Sequence, residues 1–380
     1  MVSATPADMF QQAGFRSPFF VSPSTMLGRS TFLLTIVALS GWFAAAATRG
    51  PATPTSVRIA EPAPPHLVVG NEACEKCHAA ETGVWKRTPH AQTFETLHRK
   101  PEARQIAQRL GLRSIKHDGR CTGCHYTQQS SASVDASFAS GHGPEVVAGV
   151  SCESCHGAAK GWIELHADFG GPTVTAAHES PAHRVERLRR SVAAGMRNPQ
   201  NVFAMAQSCL RCHTTPDEEL VNVGGHSVGS PEFEFVSWSQ GSVRHNFGGG
   251  QSGASVAASN QVRSPSHLRL MFVCGMVAEL EAGLRATALA TEKATYGLQA
   301  AARTDRTAKR LQSVAAKIDC QTLQEILDVY ASVRLKLNHR GPLTAAADEV
   351  ASLGYRLADE ENGENWAVLD RFIPTPPQYR

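Results

Sequence analysis

The chain has 380 residues, of which 42% are hydrophobic and 19% charged, ordinary proportions for a globular protein with room for two or three domains. A formal charge of +3 is too small to argue for a nucleic-acid partner. Ten cysteines and sixteen histidines are the unusual counts, and eight of the cysteines fall in four Cys-x-x-Cys pairs, which leaves too few for a disulfide framework.

Taken in chain order, residues 1–48 read as a signal peptide or N-terminal membrane anchor. Arg29 precedes the uncharged run "STFLLTIVALSGWFAAAA", which ends in small residues resembling a cleavage region and is short for a full membrane span. The chain beyond it is expected to be exported or periplasmic. Residues 49–66 carry five prolines and read as an extended linker. From 67 to 248 long apolar runs are few, loops are many, and short helices are expected. Residues 249–266, rich in glycine and serine, form a second linker. Residues 267–360 change character. Val273, Val277, Leu280 and Leu284 recur at helical spacing, as do Leu323, Ile326, Tyr330, Val333 and Leu337. Gly341–Pro342 is expected to end the second helix, with a third over Leu343–Leu357 and a tail at 361–380. The fold class is therefore mainly α: a loop-rich domain with short helices, then a C-terminal helical hairpin or bundle. Cys274 and Cys320, one on each arm, could form a disulfide or remain buried thiols.

The chemistry lies in four units in the 67–248 region: "CEKCH" (Cys74, Cys77, His78), "CTGCH" (Cys121, Cys124, His125), "CESCH" (Cys152, Cys155, His156) and "CLRCH" (Cys209, Cys212, His213). Two cysteines three apart on a turn reach the two vinyl groups on one porphyrin edge, and the following imidazole takes the proximal iron position. A pair of zinc ribbons would also use Cys-x-x-Cys, but has no use for histidine directly after the second cysteine. A thioredoxin-like pair would not repeat four times without a βαβ pattern. Four covalently attached c-type haems, and a multihaem cytochrome c domain, follow. Each iron then needs a sixth ligand or an open face. Among further histidines, His90, His166, His245 and His226 are candidates, neutral imidazole being the usual choice. A histidine ten or twelve residues from a proximal one does not easily cross to the far face of the same ring, so His166 is expected to serve an iron other than its own.

The stretches "CEKCHAAETGVWKRTPHAQTFETL", "CTGCH", "GVSCESCHGAAKGWIELH" and the fourth unit with "FEFVSWSQGSVRHNF" resemble the tetrahaem cytochrome c-554 family, electron acceptors of hydroxylamine oxidoreductase in ammonia-oxidising bacteria. The resemblance covers roughly residues 70–248. It implies that His166 is the distal ligand for the haem on His78, that His90 serves the haem on His156, and that His245 caps the haem on His213. It also implies an open face on the haem at His125, able to take a small ligand such as nitric oxide, unless His226, His117 or His142 closes it. The helical region from 267 has no counterpart in the family and reads as a packing cap or dimerisation surface.

The expected function is periplasmic electron transfer by a carrier rather than an enzyme, relaying electrons between redox protein partners. A multihaem oxidoreductase or a membrane quinol-linked cytochrome would suit as partner, with membrane association through the N-terminal segment. The alternative is nitric oxide, or related nitrogen oxide, binding or reduction at an open iron on His125. A haem-based sensor ranks last, since the sequence carries no recognised output domain.

Overall fold

The structure is a computed structural model that describes residues 62–130, 144–246 and 260–380. All belong to one compact unit spanning 54–380. The expected export segment, most of both linkers and His142 lie outside the described residues. Among those described, no helix is long and apolar enough to cross a membrane.

The fold is mainly α, as the sequence implies. In the first half, short helices carry the motifs: α1 (Asn71–Glu75), α2 (Ala79–Trp85), α3 (Pro89–Thr96), α4 (Pro101–Arg109), α5 (Gly119–His125), α6 (Cys152–His156), α7 (Ile163–Ala167), α8 (Pro181–Ala193), α9 (Val202–His213), α10 (Glu218–Asn222) and α11 (Phe235–Ser239). A two-stranded antiparallel sheet, β1 (Thr127–Gln129) with β2 (Glu145–Ala148), bridges the second and third motifs. Local capping explains where several helices begin. Thr88 accepts from the Ala91 N–H with Pro89 at the first helical position, and Asn201 accepts from Ala204. At α6, Ser151 and Ser154 form a reciprocal capping box. Three attachment motifs close their helices, so that α5, α6 and α9 each end on the histidine.

The second half holds α12 (Pro265–Ala288), α13 (Thr295–Ala315), α14 (Gln321–Ala331) and α15 (Arg340–Glu360). Helix α12 is buried nearly all round from Leu270 to Ala288 and packs against α9, α13 and α15. The largest core cluster therefore joins the two halves. Phe203, Met205 and Leu210 of α9 share it with Val273, Val277, Leu280 and Leu284 of α12 and with Leu343, Val350 and Leu357 of α15. Elsewhere the core is thin: one small cluster gathers Ala103, Ala107, Ile115, Cys121 and Tyr126, and another gathers Ala159, Trp162 and Met196.

The C-terminal region is a four-helix arrangement rather than a hairpin plus one helix. Helix α13 escapes the periodicity argument because much of its buried face is small or polar, with Ala300, Arg303, Thr304, Thr307 and Ala308 among its buried residues. Helix α14 stops at Ala331, well before Leu337. Gly341 and Pro342 do not terminate it; they lie in the first turn of α15, where backbone N–H groups have no intrahelical acceptor to lose. Cys274 and Cys320 are both buried and free, and burial pushes both thiols up, Cys320 to about 11.

Candidate functional site

The eight candidate histidines come together as four facing pairs. Ring centres are 6.2 Å apart for His78–His166, 6.3 Å for His90–His213, 6.1 Å for His125–His226 and 6.2 Å for His156–His245. Every pair joins one motif histidine to one other. A ring N–H donating to a ring nitrogen would bring the centres to about 5 Å, so these gaps are too wide for direct bonding. With a metal–nitrogen bond of about 2 Å on each side and about 1 Å from nitrogen to ring centre, two imidazoles on opposite faces of one iron stand about 6 Å apart. The residues thus fit a haem iron between each pair. Among the described residues no group of three or more His, Cys, Asp or Glu side chains converges to hold a metal ion, which is what a zinc-ribbon reading would require.

Two pairings differ from those the sequence resemblance implies. His90 faces His213 rather than His156, and His245 faces His156 rather than His213. The backbone around α3 accounts for the first. The His90 carbonyl accepts from Val150 N–H and Thr93 Oγ1, fixing α3 against the strand-to-α6 connection. Gly149 makes this approach possible, since a Cβ there would lie 2.4 Å from the His90 oxygen. At His125, His226, one of the three histidines that could close the face there, stands across from the ring. His117 is exposed.

Hydrogen bonds orient several of these rings. Nδ1 of His166 contacts the Ile163 carbonyl at 2.5 Å, that of His245 the Val243 carbonyl at 2.5 Å, and that of His226 the Ser227 carbonyl at 2.8 Å. A carbonyl can only accept, so each Nδ1 carries the proton and Nε2 keeps its lone pair for a metal. His213 Nδ1 has the Ser230 hydroxyl at 2.8 Å, and the Ser230 N–H donates to the His213 carbonyl. Burial lowers His125, His156 and His213 to about 4, and lowers His90 and His166 as well. Burial thus favours the neutral imidazole at all five, the form a metal would require.

The attachment cysteines adjoin one another in a definite order. Cys74 of the first unit lies beside Cys152 of the third, and Cys124 of the second lies beside Cys212 of the fourth. Half-buried Cys155 of the third unit lies within electrostatic reach of Cys209 and Cys212, and α6 packs on α9.

Several supporting residues escape sequence reasoning. Glu153, inside the "CESCH" motif, is 1% exposed and accepts from the N–H groups of Val69, Gly70 and Ala159 at 2.8–3.2 Å. It ties the approach to the first motif onto the third. Arg187 donates to the His166 carbonyl at 2.6 Å and forms a two-pronged pair with Glu179. Arg303 donates to the His213 carbonyl at 2.8 Å and pairs with Glu279. A charged residue within an attachment motif is a visible signal for Glu153; the two arginines sit far from any motif and give none.

Paired cysteines in helices, each pair followed directly by a histidine, are the pattern of c-type cytochromes, the class that holds covalently bound haem c. Residues 73–157 match the family described as cytochrome c554 and c-prime. Cytochrome c-554 of Nitrosomonas europaea is 27% identical over 149 residues, which cover 38% of this chain and 56% of that protein. Over these stretches the chain is similar to the cytochrome c-554 family. It spans little more than half the length of that curated relative. No solved structure matches it.

Proposed function

We propose that the protein carries four covalently attached haems, each between two histidines, and relays electrons between redox partner proteins outside the cytoplasmic membrane. The four imidazole gaps of 6.1–6.3 Å, one for each attachment motif, carry this reading. Bound there, haem iron supplies a one-electron couple. Imidazole on both faces leaves no position for a substrate, which suits a carrier better than an enzyme. The nitrogen-oxide alternative needs a free face at His125, and His226 stands where a small ligand would bind.

The contacts among attachment cysteines support a linear order: the His78 unit, then His156, then His213, then His125. Residues of the first unit are the most open, Cys77 and His78 being exposed, which favours that end for docking a protein partner. A multihaem oxidoreductase or a quinol-linked cytochrome would serve as donor or acceptor.

The test is an intact mass of the exported polypeptide with an absorption spectrum taken under redox titration. Four added macrocycles, a wholly low-spin spectrum and no Soret shift with carbon monoxide are expected. Fewer than four macrocycles, or a carbon monoxide complex at one haem in four, would overturn the assignment.

A further inference from the structure

One charged side chain of the C-terminal helical region reaches the backbone of a motif histidine. Arg303 of α13 is 7% exposed, and its guanidinium is held from two sides. Nε donates to Glu279 of α12 at 2.8 Å, and Nη1 donates to the carbonyl of His213 at 2.8 Å. That carbonyl also takes the Ser230 N–H, and Ser230 Oγ meets His213 Nδ1, so ring and backbone of this histidine are gripped together. Gly229 completes the enclosure: a Cβ there would lie 2.4 Å from the His213 oxygen and 2.7 Å from Arg303 Nη1. The remaining nitrogen, Nη2, is buried and has no hydrogen-bond partner in the protein.

Arg187 gives the comparison. It also donates to a ligand carbonyl, that of His166, but both of its other donors are occupied by Glu179. Arg303 is built the same way with one donor left over. A buried guanidinium nitrogen without an acceptor is costly, and nearby Glu279 is already engaged through Nε. The acceptor suited to it is anionic and arrives with the cofactor, and the anionic oxygens of haem are its propionates.

We propose that Arg303 is a positioning residue for the haem on His213, fixing the His213 backbone with Nη1, offering Nη2 to a haem propionate, and raising that haem's reduction potential through its buried positive charge. The inference rests on the bis-histidine reading above. The sign follows from charge: reduction lowers the positive charge at iron, so a nearby buried cation stabilises the reduced state.

The experiment compares the wild-type holoprotein with Arg303→Met and Arg303→Lys by spectroelectrochemical titration. A haem count is taken first, and a low count in the wild type would sink the four-haem reading itself rather than this inference. In Arg303→Met, one of four couples should fall in potential while all haems stay low-spin; Arg303→Lys, which keeps the charge, should restore most of the shift. Ser230→Ala, acting on the same histidine, should move that same couple. Unchanged potentials in a folded Arg303→Met protein overturn the proposal. Equal shifts in the Met and Lys variants also overturn it, by assigning the effect to packing. If Arg303→Met does not accumulate, the Lys variant decides alone: a potential near the wild-type value supports the role of charge, and a full fall refutes it.

Discussion

Glu179 illustrates how much a single carboxylate can hold at this site. Its side chain is covered, it takes both prongs of Arg187 and the His183 ring, and the Arg187 hydrogen bond lowers it from 4.5 to about 2. A depressed carboxylate contributes stability that is fully present above its unfolded pKa and is lost as pH falls through the folded value. Stability should therefore decline between about pH 4.5 and about pH 2, and Glu179→Gln should flatten that slope in acid unfolding followed by the His78 haem's spectrum. The ligand pairing is testable at the same scale. His166→Ala should turn one low-spin haem high-spin. His90→Ala should do so for the couple that Ser230→Ala shifts, because His90 and Ser230 both meet His213. If His90→Ala instead disturbs a different couple, the pairing is wrong. The motif histidines are legible in the sequence because sulfur spacing announces them. Their partners are only half legible, since a lone histidine in a loop carries no label for the iron it will face. Contacts such as Gly149 on the His90 carbonyl decide that.

Among the elements, α12 and α13 show where periodicity informs and where it fails. The apolar repeat of α12 marks a helix, and burial on almost every side follows from its central place among α9, α13 and α15. Leu280 is 0% exposed in the shared core, and Leu280→Ala should cost about 2–5 kcal/mol of stability, read by thermal unfolding of the holoprotein. The haem spin states should not change, since Leu280 touches the sites only through packing. Helix α13 buries Tyr296, Leu311 and Val314 near its ends, but between them its buried face is alanine, threonine and one arginine, which reads as a solvated stretch. In that middle stretch Arg303 is buried against Glu279 and the His213 carbonyl, contacts that a hydrophobic pattern cannot reveal.

For the whole molecule, the family match ends at residue 157, yet the core runs on without a break from α9 into the last helices. Helix α9 belongs to both parts: its end bears a motif, and its body is embedded in the C-terminal bundle. The proposed order makes the His156 and His213 positions interior and the His78 and His125 positions terminal. His245→Ala, at an interior position, should slow redistribution of electrons among the couples after rapid reduction by a protein donor, as followed by stopped-flow absorbance. His226→Ala, at an end, should leave the first three couples equilibrating at the wild-type rate. Equal slowing in both would refute the linear order.

Each facing histidine pair also joins two stretches of chain that lie far apart in sequence. An iron seated in every pair would act as a clasp, closing a large loop that the thin local packing around α1 to α8 does little to close unaided. Maturation and folding would then be a single process. On that reading the polypeptide would stay open until its thioether bonds were made, and a molecule missing one pigment would lose the fastening between two remote segments along with its colour.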